Sequence, residues 1–187
     1  MTSEDASSLR VVFNSAVVSV TFSRMKTRPE QMSDKSIHLW SWIFPVTYLI
    51  HIAEEYWGGE GYSAYIFRVR GVHMSPGRFL AAQSIGFILV TLAVLIARQL
   101  SFPQTMLLIL GTIVLINGVT HSVTSLTTHG YGPGLYSSVL LWIPLGLITL
   151  LGFKRGVSRQ RYWLCIGIGA FVNVLIGVIT MRGGRIV

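Results

Sequence analysis

Five apolar runs constrain this chain more than any other feature of its sequence. They cover about residues 37–57, 79–97, 104–125, 135–153 and 162–181, and each is 19 to 22 residues long. A helix of about 20 mostly apolar residues is long enough to cross the hydrocarbon core of a bilayer. Because mostly short connections join the runs, we predict an all-α polytopic transmembrane bundle of about five spans within residues 37–187.

The composition agrees with a membrane protein. Hydrophobic residues make up 51% of the chain and charged residues 12%, against roughly 25% charged in an average soluble domain. The net charge of +8 comes from basic residues in the connections, where they determine topology, rather than from a basic face that could bind nucleic acid. We therefore expect membrane lipids, and no nucleic acid, as partners.

The distribution of basic residues predicts the orientation of the chain. Nine lie on the side that holds the N-terminus and five on the other side, which favours a cytoplasmic N-terminus. The nine are Arg24, Lys26, Arg28, Lys35, Arg98, Lys154, Arg155, Arg159 and Arg161, and the five are Arg68, Arg70, Arg78, Arg182 and Arg185.

Residues 1–36 precede the first run. Their apolar stretch, Val11 to Phe22, is too short to span a membrane. We expect a poorly ordered cytoplasmic extension, and Met25 or Met32 could be the biological start of the chain.

A histidine and two adjacent carboxylates, His51, Glu54 and Glu55, lie near the end of the first run. A charged group inside a span costs about 3 kcal/mol unless it is paired, hydrated or coordinated. The two glutamates follow the histidine by three and four residues, so the three side chains share one face of a helix. The pattern indicates a functional site in the first span.

The third run carries a second polar group near its end. Asn117, His121, Thr124 and Ser125 recur at three- and four-residue spacing and share a helix face. At a rise of 1.5 Å per residue, His51 lies about 21 Å from the start of its run and His121 about 25 Å from the start of its own. Because both runs cross in the same direction, the two histidines are predicted to lie at one level, and Asn117 either orients a site residue or bonds between helices.

Three elements follow one another in this small chain: a His-x-x-Glu-Glu motif, a later lone histidine and a Tyr-Gly-Pro-Gly turn. They are His51-x-x-Glu54-Glu55, His121 and Tyr131-Gly-Pro133-Gly134. In this order and over about residues 37–153, the chain resembles the HXXEE family of bacterial membrane proteins. The resemblance implies one common site made by these three elements and a location in the bacterial cytoplasmic membrane. It implies no reaction, because the function of that family is unknown.

One interpretation of the site is a mononuclear metal centre. His51, Glu54, Glu55 and His121 could supply three or four ligands to Zn²⁺ or Fe²⁺ and leave one position open. A carboxylate that is not a ligand could act as a general base or orient an imidazole. Tyr131, which is most simply part of a turn, could instead bend its hydroxyl into the pocket.

Three other interpretations stay open at this point. Two carboxylates and a histidine could perform acid–base catalysis without a metal, or relay protons or cations in a small transporter. The cluster could also be structural, holding helices together without catalysis. The leading hypothesis is a membrane-embedded enzyme for a lipid-like or amphipathic substrate, and the sequence leaves open whether the protein is an enzyme.

Aromatic residues mark the predicted span ends. The connection of residues 58–78 is rich in glycine and tyrosine and is expected to lie on the membrane surface. The tryptophans are interpreted as interfacial anchors; they are Trp40, Trp42, Trp57, Trp142 and Trp163.

Overall fold

The structure of the protein, a computed structural model, describes residues 9–13, 16–20 and 34–183. Five long helical segments cover the five predicted runs, and a short helix lies in the longest connection. The helices are α1 (Asp34–Trp57), α2 (Tyr62–Arg70), α3 (Pro76–Gln99), α4 (Pro103–Thr127), α5 (Leu135–Ser137), α6 (Ile143–Phe153) and α7 (Arg159–Gly183).

The N-terminal unit contains a β-hairpin. Its strands, β1 (Leu9–Phe13) and β2 (Ala16–Val20), pair antiparallel, with the first residue of β1 opposite the last residue of β2. The predicted poor order and cytoplasmic location of residues 1–36 fall mainly outside the described residues and stay predictions.

Four helical segments of the described chain are long and apolar enough to cross a membrane. They are Pro76–Gln99, Pro103–Thr127, Leu135–Gly156 and Arg159–Thr180. Helix α1 has the same length as α3 but is less apolar, because it carries two histidines and two glutamates. The predicted fold class, an all-α transmembrane bundle of about five spans, is confirmed.

Helix α4 lies at the centre of the bundle. It packs most extensively against α6 and α7 and also contacts α1 and α3. Its inward face carries Leu107, Leu108 and Val114, which are buried together with Phe44 of α1. Near the end of this helix, His121 is partly buried and Ser125 is buried.

Two glycines mark the crossing of α4 and α6. A Cβ atom added to Gly146 would lie 2.8 Å from the carbonyl oxygen of Gly111 and 2.7 Å from the Cβ atom of Leu115. Small residues at a crossing let two helix backbones approach closely, which strengthens packing where lipid removes the usual hydrophobic driving force.

We expect Gly146→Leu to push α6 away from α4 and to lower the free energy of unfolding by about 2 kcal/mol, because the added side chain has no space. Gly152→Leu is the matched control, since a Cβ atom at this position of the same helix has no neighbour within 4 Å. Thermal unfolding in detergent compares the two variants. Equal melting temperatures would contradict the close crossing.

The tryptophans divide into two groups. Trp42, Trp57 and Trp163 are exposed, as expected of interfacial anchors. Trp40 donates a 2.9 Å hydrogen bond to the hydroxyl of Thr149, and Trp142 is only 2% exposed. For Trp142 the anchor interpretation is wrong, because its ring is packed inside the bundle.

Candidate functional site

Three polar side chains from two helices meet inside the bundle. Nε2 of His51 lies 3.6 Å from Oε1 of Glu55, and Nε2 of His121 lies 3.4 Å from the same oxygen. The two imidazole rings are nearly perpendicular, with centroids 4.9 Å apart. One potential ligand atom from each of the three residues lies within 4.8 Å of the others. These residues are close enough to hold one metal ion.

The side chain of Ser137 orients the His51 ring. Its Oγ lies 2.7 Å from Nδ1 of His51 and can donate its own proton to the carbonyl of Gly134, 3.3 Å away. The serine oxygen then accepts from Nδ1–H, and this tautomer leaves the lone pair of Nε2 directed at the site. Within the described residues, this buried Nε2 has no hydrogen-bond partner.

A π-helical turn between α5 and α6 places two contacts on the same imidazole. The turn covers Ser138–Trp142, and the ring of Trp142 stacks on His51 with centroids 3.6 Å apart. Ser137 and Trp142 are five residues apart and would lie about 140° apart around an α-helix. The wider π turn, with its hydrogen bonds between residues i and i+5, brings both to one face. Pro144, two residues after the turn, has no amide hydrogen to donate to a regular α turn.

Glu55 is held by a chain of hydrogen bonds that runs through Gln83 of α3 to Tyr48 of α1. Its Oε2 accepts a 2.7 Å hydrogen bond from Nε2 of Gln83, and Oε1 of Gln83 accepts one of 2.8 Å from the hydroxyl of Tyr48. Glu55 is only 3% exposed, and these bonds leave its other oxygen, Oε1, facing the two histidines. The carboxylate is therefore fixed with one oxygen available to a ligand.

Glu54 makes different contacts, although it is adjacent to Glu55. Its carboxylate accepts hydrogen bonds from the backbone amides of Tyr136 and Ser137, at 2.8 and 2.6 Å, and from the hydroxyl of Tyr131, at 2.9 Å. Free amides at the start of a helix attract negative charge. Glu54 thus ties α1 to the start of α5 and to the preceding turn.

The Tyr131–Gly134 turn covers the site. Gly134 has a φ of +89°, and a Cβ atom there would lie 2.8 Å from Cε1 of His51 and 2.9 Å from Cε1 of His121. Burial, followed by the hydrogen bond to Glu54, raises the pKa of Tyr131, so its hydroxyl stays protonated and remains a donor. Only glycine combines this backbone conformation with this close approach.

A cavity with a volume of about 240 Å³ lies beside the three side chains. His51, Glu55 and His121 line it, and most of its remaining wall is apolar. Asn117 also lines the cavity, which agrees with its predicted position on the polar face of the third run. A ligand held by the three residues would be in contact with this space.

The structure brings together three of the four predicted metal ligands, namely His51, Glu55 and His121. Glu54 lies outside this group, and the hydroxyl of Tyr131 contacts Glu54 instead of entering the cavity. Sequence reasoning missed three supporting residues. They are Gln83, Ser137 and Trp142. Of these three, only Gln83 could have been noticed in the sequence, as a polar residue within the second apolar run.

Comparison with protein families matches residues 42–149 to a family described as "Protein of unknown function with HXXEE motif". The match covers more than half of the 187 residues and includes α4 and the turn over the site. No curated protein and no solved structure matches the chain.

Proposed function

Since this chain belongs to the HXXEE family of proteins of unknown function, we propose a function for it from the side chains that the family motif contributes. The protein is a membrane-embedded, metal-dependent enzyme that acts on an amphipathic or lipid substrate. The observation that carries this proposal is the group of His51, Glu55 and His121, whose potential ligand atoms lie within 4.8 Å of one another beside a cavity.

The donor set fits a divalent cation. Two imidazoles and one carboxylate are the ligands of many catalytic zinc sites and of non-haem Fe²⁺ sites, and both kinds of site keep positions open for substrate or water. A cation also accounts for Nε2 of His51, a buried nitrogen without a hydrogen-bond partner in the described residues. When bound, the cation would supply Lewis-acid or redox chemistry, and its identity distinguishes hydrolytic from oxidative reactions.

The surrounding residues position the three ligands. Ser137 selects the tautomer of His51, and the stacked ring of Trp142 keeps water from one face of that imidazole. Gln83 donates a hydrogen bond to Oε2 of Glu55, so that Oε1 points to the histidines. Such contacts commonly change metal affinity by about 10- to 100-fold when they are removed.

The wall of the cavity supports the substrate class. Apart from the polar groups at the site, it is made largely of apolar side chains such as Phe44, Ile66 and Val114. An apolar cavity with a few convergent polar groups binds the apolar part of a ligand and orients its polar part. In a bundle with four membrane-crossing helices, an amphipathic molecule fits this description.

We also propose that the protein lies in the bacterial cytoplasmic membrane with its N-terminus in the cytoplasm, which follows from the count of basic residues. A cysteine added at the N-terminus should react with a membrane-impermeant maleimide only after spheroplasts are lysed. The native Cys165 is buried and should not interfere. Labelling of the added cysteine in intact spheroplasts would show that the N-terminus lies outside the cytoplasm and would contradict the proposed orientation.

Metal analysis of the purified protein tests the function. We expect about one Zn²⁺ or Fe²⁺ per chain and its loss in His51→Ala and in His121→Ala, because each variant removes one ligand from a set of three. His129→Ala is the matched control, since His129 is an exposed turn residue outside the group. Wild-type protein that stays metal-free after incubation with both ions, or a His51→Ala variant that keeps its metal, would overturn the proposal.

A further inference from the structure

The cavity reaches the side of the bundle between α3 and α7. Ile176 and Gly177 of α7 line the cavity and are exposed, and so is Ala82 on α3. A residue that lines a cavity and is also exposed lies at its mouth. In a membrane, the sides of the crossing helices face lipid, so this mouth opens to acyl chains rather than to water.

The mouth has room for a chain. A Cβ atom added to Gly177 would have no neighbour within 4 Å, in contrast to Gly169 two turns earlier, whose Cβ atom would lie 2.7 Å from Thr112 on α4. Asn173, between these glycines, donates a hydrogen bond to the carbonyl of Ile113. The face of α7 therefore packs on α4 at its middle and stands free where it borders the cavity.

A basic side chain lines the same cavity. Arg70, the last residue of α2, is exposed and lines the cavity, and no ion pair to it is found in the described part of the chain. Arg68, on the same helix, pairs instead with Glu60 and does not line the cavity. A free guanidinium beside an apolar cavity is suited to a carboxylate or phosphate group.

We propose that the cavity binds a single-chain amphiphile with an anionic headgroup. The acyl chain enters between α3 and α7, the headgroup pairs with Arg70, and the bound molecule lies beside His51, Glu55 and His121. His51, Glu55 and His121 line this same cavity, so a molecule bound in it lies next to the proposed metal ligands. This inference rests on the proposed function, because it names the substrate class of that site.

Photo-crosslinking with a diazirine-bearing palmitate in phosphatidylcholine nanodiscs tests the proposal. We expect saturable labelling of the wild-type protein, competed by excess palmitate and much more weakly by hexadecanol, which has the same chain without the charge. Acetate, which has the charge without the chain, should not compete. Labelled peptides should map to α3 and α7.

Two pairs of variants separate the headgroup from the chain. Arg70→Gln should reduce labelling by about threefold to fivefold, as expected for one partly exposed ion pair, whereas Arg68→Gln should not. Gly177→Leu should block labelling by filling the mouth, whereas Gly167→Leu is the matched control on α7, with equal free space and no place in the cavity wall. If Gly177→Leu does not yield folded protein, Thr180→Leu fills the same mouth one turn later.

Unsaturable labelling, or unchanged labelling in either Arg70→Gln or Gly177→Leu, overturns the inference. Its failure can be told apart from failure of the proposed function, because palmitate binding needs no metal. Protein that binds metal but not palmitate contradicts only the substrate class. Protein that binds palmitate in the wild type and in His51→Ala, but holds no metal, contradicts only the metal-dependent function.

Discussion

Replacing Gly134 with alanine should collapse the site and lower the free energy of unfolding by about 3 kcal/mol. Two costs add at this position. The residue has a φ of +89°, which a side chain disfavours, and its Cβ atom would lie within 3.1 Å of His51, His121 and Glu55. Because the three side chains would have to move apart, we also expect the variant to lose its bound metal.

Gly130→Ala is the control for this prediction. It lies in the same connection, and the nearest atom to its Cβ would be the carbonyl oxygen of Thr128 at 3.8 Å, an ordinary contact. Thermal unfolding in detergent, with and without a chelator, gives the stability of each variant, and metal analysis gives its occupancy. If Gly134→Ala keeps the stability and the metal content of the wild type, the close approach of this turn to the three side chains is contradicted.

Replacing each of the two adjacent glutamates with glutamine should affect a different property of the protein, stability for Glu54 and metal binding for Glu55. Glu54→Gln should lower the free energy of unfolding by about 2 kcal/mol, because the amides of Tyr136 and Ser137 lose a charged acceptor. Its metal content should stay close to that of the wild type, since Glu54 lies outside the ligand group.

Glu55→Gln should instead remove the metal and leave the stability of the metal-free protein intact. The amide has nearly the size and shape of the carboxyl group, and its oxygen can still accept from Gln83. The same two measurements, thermal unfolding with a chelator and metal analysis, apply to both variants. Loss of metal in Glu54→Gln but not in Glu55→Gln would exchange the roles assigned to the two residues.

Much of the site could be predicted from helical geometry alone. The three- and four-residue spacing after His51 places both glutamates on its face. The distances of His51 and His121 from the starts of their runs place the two histidines at one level. The structure brings these two histidines together, with ring centroids 4.9 Å apart. Depth and face follow from sequence because the rise and turn of a helix are nearly constant.

The supporting residues could not be predicted in the same way. Gln83 and Ser137 carry no pattern of their own, and they contact the site only because α3 and the start of α5 pack beside α1. Trp142 has the sequence position of an interfacial anchor, yet the π turn directs its ring onto His51. Such a turn changes the direction of a side chain around the helix axis, and a prediction that assumes a regular α-helix cannot account for this change.

The membrane bundle and the polar groups within it could be predicted without the structure, because long apolar runs and a fixed helical period leave few other arrangements for such a chain. Which of the two carboxyl groups faces the histidines depends on how the helices pack. Glu54 and Glu55 differ by a single turn step of about 100°, and both lie on the face of His51. The start of α5 provides backbone amides for one, while α3 provides Gln83 for the other. The two glutamates therefore differ because different neighbouring helices contact them, and the spacing of residues within α1 does not predict these contacts.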